Sequence, residues 1–186
     1  VIQNQIQYEV EENVVNVVQS YGFDVDKVTM ADNFLIKAEY GNHPDFSFIG
    51  NPHSSSGYGC FSSCITNSIN NYLEYVNDND HIAVNCSDTP IETIYNYVYN
   101  DIPVIIWVSM YMAPIYSSSS VKLKDGSTFY YRYNTHCVVL YGYDKESNIV
   151  YVADPLIGNT TYDATLFNIR YKENKSQSVV ILNLDN

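Results

Sequence analysis

Three side chains in this sequence are of the kinds that carry out acyl transfer: Cys60, His136 and Asp154, met in that order along the chain. Cys60 follows Gly59 at the expected first turn of a helix. A thiol there faces unsatisfied backbone N–H groups and the positive end of the helix dipole, and both favour the thiolate. His136 stands just before the apolar run Cys137-Val138-Val139-Leu140, where a loop hands over to a strand. Asp154 closes the next strand-like run, and Pro155 stops that strand from continuing. If the two runs pair through a connection near Asn148, the midpoint of 136 and 154 is 145, and His136 lies opposite Asp154. A carboxylate beside an imidazole, facing a helix-terminal thiol, supplies orienting acid, general base and nucleophile.

The other thiols invite a different reading. Cys64 lies one helical turn beyond Cys60 on the same face, and a mid-helix thiol has no free N–H groups around it, so it reads as core. Cys137 alternates with His136 and points to the opposite face of its strand. Cys86 lies in a polar loop and is the one candidate for a disulfide or an exposed thiol. No cysteines show C-x-x-C spacing and the four histidines show no H-x-x-x-H pattern, so no metal or other cofactor is expected.

Composition narrows the partners. The 186 residues carry 21 acidic side chains against 9 basic ones, a formal net charge of −12. That sign excludes a broad electrostatic grip on nucleic acid or an anionic membrane. Apolar residues make up 46%, enough for a core in a single domain. The longest apolar run, Val104 to Val108, is strand-sized and far too short to span a bilayer. The start, Val1-Ile2-Gln3-Asn4, has neither a Met nor the plan of a signal peptide, and reads as a trimmed or mature chain.

The elements that must position the trio follow from periodicity. Residues 1 to about 22 read as a helix, with Val10, Val14, Val17, Val18 and Tyr21 at helical spacing and Gly22 as its stop. Asp24 to Tyr40 alternates weakly, as a strand or ordered extension. Gly41 to Tyr58, rich in Pro, Asn and Ser, reads as loop. A second helix spans about Cys60 to Val76. A third is announced by Thr89 as N-cap, Pro90 in the first turn and Glu92 completing a capping box. Pro103 opens a central strand, Asp125-Gly126 is a hairpin turn, and strands follow over Cys137–Tyr143, Ile149–Ala153 and Val179–Leu184. Helices first and an antiparallel sheet afterwards make an α+β layout.

These residues also carry a resemblance. Gly59-Cys60 opening a helix that ends Asn70-Asn71-Tyr72-Leu73 resembles the nucleophile helix of the papain-like double-glycine leader peptidases, the bacteriocin-processing peptidases, and their stand-alone relatives. Ile102 to Val108 is similar to that family's central strand. The strongest match is His136 to Asp144, a His-x-Val-Val-x-x-Gly-Tyr-Asp run, followed by a strand ending Asp154-Pro155. The resemblance implies a papain-like cysteine proteinase fold over residues 46–186, with N-terminal helices packed on an antiparallel sheet. Residues 1–45 are an N-terminal helical extension or pro-segment-like region. It also implies Cys60 as nucleophile, His136 as base and Asp154 as the acid that orients it. Two departures stand out. The family places a Gln upstream of the nucleophile to bind the oxyanion, and residues 50–58 contain none, which leaves Asn51, His53 and Ser54 as candidates. Phe61 follows the nucleophile where relatives have a small, polar or acidic residue.

The expected function is a cysteine peptidase acting on a peptide or protein substrate, with no cofactor, no nucleic acid and no membrane span. The oligomeric state is left open. Stand-alone members of the family are mostly secreted or cell-surface proteins of Gram-positive bacteria, so that location is expected. Two alternatives use the same features. The trio can pass its acyl group to an amine, as an acyltransferase or transglutaminase-like enzyme does, or a degenerate peptidase scaffold can bind a peptide or glycan without chemistry.

Overall fold

A six-stranded antiparallel sheet forms the middle layer of the protein, in the order β3-β10-β4-β7-β8-β9. The strands are β3 (His81–Asn85), β4 (Val104–Ser109), β7 (Thr135–Asp144), β8 (Ile149–Asp154), β9 (Gly158–Asp163) and β10 (Ser178–Asn183). The computed structural model describes residues 9–54, 57–115 and 118–184. On one face lie α1 (Glu9–Ser20) and α3 (Ser62–Tyr75); on the other lie α4 (Ile91–Tyr99) and α5 (Ala164–Glu173). Two-residue strands β1 (Lys37–Ala38) and β2 (Phe48–Ile49) pair in parallel, and β5 (Ser118–Lys122) and β6 (Thr128–Arg132) form a separate hairpin around Asp125-Gly126.

Strand alternation divides the core into two. Every residue of β4 is buried, as its unbroken apolar run requires. Ile105 and Trp107 face α1 and α3 with Cys137, Val139, Val179 and Ile181. Val104, Ile106 and Val108 face α4 and α5 with Val138, Leu140, Val152 and Phe167. The helices supply matching stripes: Val14, Val17 and Val18 from α1, Cys64, Ile65, Ile69, Tyr72 and Leu73 from α3, and Ile91, Ile94 and Val98 from α4. Residues 9–45 share this core directly. Asn13 Nδ2 donates to the Cys137 carbonyl at 2.7 Å and Tyr21 Oη to the Ile181 carbonyl at 2.6 Å.

Several expectations change. The first helix, expected over residues 1–22, runs Glu9–Ser20; residues 1–8 lie outside the described residues. Within 24–40, Asp26 caps a short helical segment, α2 (Lys27–Thr29), by accepting from Val28 and Thr29 N–H. It continues as a π-helical turn over Met30–Phe34, so only two residues there are strand. The N-cap of α4 is Pro90 with no side-chain cap, and the Thr89 carbonyl instead receives the Tyr171 hydroxyl. Cys86 is buried beside Ser178, 3.3 Å from its hydroxyl, rather than exposed in a loop. None of the four cysteines is in a disulfide. The order is not helices then sheet, because β3 falls between α3 and α4 and pairs with β10.

Candidate active site

The imidazole of His136 and the carboxylate of Asp154 meet at one end of the sheet, with Nε2 2.9 Å from Oδ1. Both side chains are fully buried. They face each other because they share a face of the sheet. Leu140 pairs with Val152, and continuing that register sets Asp154 across from Val138, two positions from His136 on the same side. A carboxylate only accepts, so Nε2 carries the proton and Nδ1 is the basic nitrogen.

Asp154 is held as an anion. Burial alone would raise its pKa, but the hydrogen bond and charge of His136, the Leu156 N–H at 2.9 Å and the Tyr162 hydroxyl at 3.5 Å outweigh it and lower the carboxyl below its ordinary range. The same carboxylate, with burial as the larger cause, pushes the Tyr162 hydroxyl up to about 12, so it remains a donor.

Cys60 lies just before the first turn of α3 and is 3% exposed. Gly59, with φ of 77°, turns the chain into it through a conformation that favours glycine. Ile49 N–H donates to the Gly59 carbonyl and Phe61 N–H to the Pro44 carbonyl, which pins both sides of the thiol-bearing residue. The start of α3 is tied to the same end of the sheet as His136. Ser62 N–H donates to Gln177 Oε1, the Gln177 carbonyl accepts from Trp107 N–H, and Trp107 pairs with Cys137. Cys60 packs with the α3-face cluster that includes Trp107 and Cys137, whereas His136 alternates to the other face.

The three oxyanion candidates form an exposed turn after β2. Asn51 Oδ1 accepts from His53 N–H, the His53 ring is 2.6 Å from Asp32, and Ser54 Oγ donates to the Asn51 carbonyl. Cys64 is fully buried and Cys137 lies on the face opposite His136, as expected of packing thiols.

Three residues at this end of the sheet carry no signal in the sequence. Gln177 caps α3. Asn134 and Arg170 hold the turn after β4, where Tyr111 and Met112 both take positive φ (52° and 55°), a costly conformation for side chains of that size. Asn134 Nδ2 donates to the Ala113 and Pro114 carbonyls, and Arg170 Nε to the Met112 carbonyl. None follows from local sequence, because each acts on a segment distant along the chain. Among the described residues, no group of three or more metal-ligating side chains comes together.

This architecture is a papain-like α+β fold, and the chain belongs to the Peptidase_C39 like family, which it matches over residues 14–179. The crystal structure of a Bacillus anthracis protein described as a C39-like peptidase superposes with a TM-score of 0.84 at 25% identity, covering 97% of this chain and 90% of that one. No curated protein matches the sequence. Family and structural neighbour together imply a cysteine peptidase, and hence a peptide substrate. No helix among the described residues is long and apolar enough to cross a membrane.

Proposed function

We propose that the protein hydrolyses peptide bonds with Cys60 as nucleophile, His136 as general base and Asp154 as the acid that fixes the imidazole. The observation that carries this reading is the buried His136–Asp154 pair at the sheet end to which the N-terminus of α3 is tied. In this reading the thiol reaches His136 Nδ1 around the end of the sheet and gives up its proton, leaving a thiolate–imidazolium pair stabilised by the α3 dipole. The thiolate attacks the scissile carbonyl carbon, and the Cys60 backbone N–H receives the oxyanion. Imidazolium protonates the departing amine as the C–N bond breaks, leaving a thioester. Water, losing its proton to Nδ1, then attacks the thioester, and the thiol leaves as the acid product is released.

The test is the rate at which iodoacetamide alkylates each cysteine between pH 4 and 9, mapped by mass spectrometry. Cys60 is expected to react fastest at low pH, with an apparent pKa well below the ordinary value of about 8.5. His136→Ala is expected to abolish that advantage together with peptide hydrolysis. A Cys60 that titrates as an ordinary thiol in the wild type would overturn the reading and favour a binding role. Hydrolysis lost to an added amine would move it to acyl transfer.

A further inference from the structure

The first turn of α3 follows directly on the thiol-bearing residue, yet its own neighbours do not cap it. The N-cap residue is Phe61, which makes no side-chain cap bond. The acceptor comes from a residue 115 positions further along the chain. Gln177, next to the start of β10, turns Oε1 to Ser62, accepting from its N–H at 3.0 Å and its hydroxyl at 2.9 Å. The Gln177 carbonyl accepts from Trp107 N–H at 3.1 Å, so the cap is anchored to the central strand. Ser87 Oγ donates to Ser62 Oγ at 2.8 Å and accepts from Ser178 N–H at 3.2 Å, extending the network to β10. Gln177 and Ser62 are both buried, and there an unmet donor is costly and a satisfied network fixes one geometry.

We infer that Gln177 is a positioning residue for Cys60: by capping α3 from the sheet, it holds the helix terminus that stabilises the thiolate. The inference rests on the peptidase reading above. A neutral acceptor suits this task. A carboxylate would cap the helix equally well but would set a negative charge two residues from the thiolate.

Gln177→Glu separates the two effects. A charged acceptor at a helix N-terminus supports folding, so the urea midpoint is expected to stay level or rise. The apparent pKa of Cys60 is nevertheless expected to climb, slowing alkylation at pH 6 by about tenfold or more. Because the new charge by itself raises the thiol pKa, the neutral variants carry the test of positioning. Gln177→Leu removes both bonds and is expected to lower the midpoint and raise the thiol pKa together. Should Gln177→Glu fail to fold, Ser62→Ala, which keeps the capped N–H, is expected to raise the pKa by a smaller amount. An alkylation profile unchanged in the folded variants, while His136→Ala still abolishes the low-pH reactivity, overturns the inference and leaves the peptidase reading standing. A wild-type Cys60 with no dependence on His136 overturns both.

Discussion

Asp154 offers the sharpest perturbation, because two variants should divide its structural role from its chemical one. Its Oδ1 accepts from His136 Nε2 and from Leu156 N–H, each at 2.9 Å, the first bond buried and the second half-buried. Asp154→Ala leaves the buried His136 donor and the half-buried Leu156 donor without acceptors. The first costs about 1–3 kcal/mol and the second less, so a loss of roughly 2–4 kcal/mol is expected. For a domain of this length that corresponds to a fall in Tm of about 4–16 °C. Asp154→Asn can keep both bonds through its own Oδ1, as neutral ones, and is expected to cost only about 1 kcal/mol. What it cannot keep is the charge that stabilises imidazolium. Asp154→Ala should therefore lose about 10³–10⁴-fold in peptide hydrolysis, with the low-pH alkylation of Cys60 falling in parallel, while Asp154→Asn, which still holds Nε2–H in place, should lose less. Stability is read from urea unfolding by the fluorescence of Trp107, the single tryptophan, which sits buried on β4 beside β7. If a folded Asp154→Ala matched the wild type in both hydrolysis and alkylation, Asp154 would have no hold on the thiol and the trio would be refuted.

The same carboxyl contributes to the acid sensitivity of the fold. Its pKa is lowered in the folded chain, so the stability it contributes is present above the unfolded value of about 3.9 and is lost as pH falls through the folded value. Urea midpoints taken from pH 5 downwards should fall less steeply in Asp154→Asn than in the wild type. Near the thiol, Gly59→Ala meets open space but a φ of 77°, and should cost about 1 kcal/mol. Gly57→Ala should cost more, about 1–3 kcal/mol, because its Cβ would stand 2.9 Å from a ring carbon of buried Phe48; the two midpoints decide the order. Asn13→Ala removes the buried bond to the Cys137 carbonyl and should lower stability by about 1–3 kcal/mol, checked by urea unfolding.

The elements that the sequence showed plainly were those whose side-chain period matches their burial. Val104 to Val108 reads as a doubly buried strand and is one; the stripe from Cys64 to Leu73 reads as a core-facing helix and is one. The elements it hid lack that period. Strand β9 reads Gly-Asn-Thr-Thr-Tyr-Asp, polar on both faces, because it lies at the sheet edge and is held by its ladder to β8. Helix α5 mixes polar and apolar residues around its circumference, burying Arg170 along with Phe167 and Tyr171, so no amphipathic signal marks it. Its cap was visible in principle, since Asp163 accepts from Leu166 N–H three residues on. Cys86 reads as a loop residue because its neighbours are polar, and Ser178, which packs against it, lies 92 residues away.

The candidate site was legible as residue types, while its geometry rests on a feature that the sequence conceals. The spacing of the two runs centres the hairpin at 145 and sets His136 directly opposite Asp154. Near the connection, Asp144 in fact pairs with Ile149 and Tyr143 with Val150. Carried down the strands unbroken, that register would place Asp154 across from Val139. His136 is three positions from Val139, and an odd offset turns two side chains to opposite faces of a sheet. The pair forms because the ladder slips at Tyr141, where Gly142 pairs with Tyr151 but Leu140 already pairs with Val152. The extra residue restores an even offset and brings imidazole and carboxylate to one face. Nothing in the run Leu140-Tyr141-Gly142-Tyr143 marks that bulge. Gly142 alone hints at it, as a residue whose Cβ would crowd the Tyr151 ring at 3.1 Å. A hairpin register estimated from sequence is thus tested most severely at a candidate catalytic pair, where a slip of one residue decides whether the two side chains meet at all.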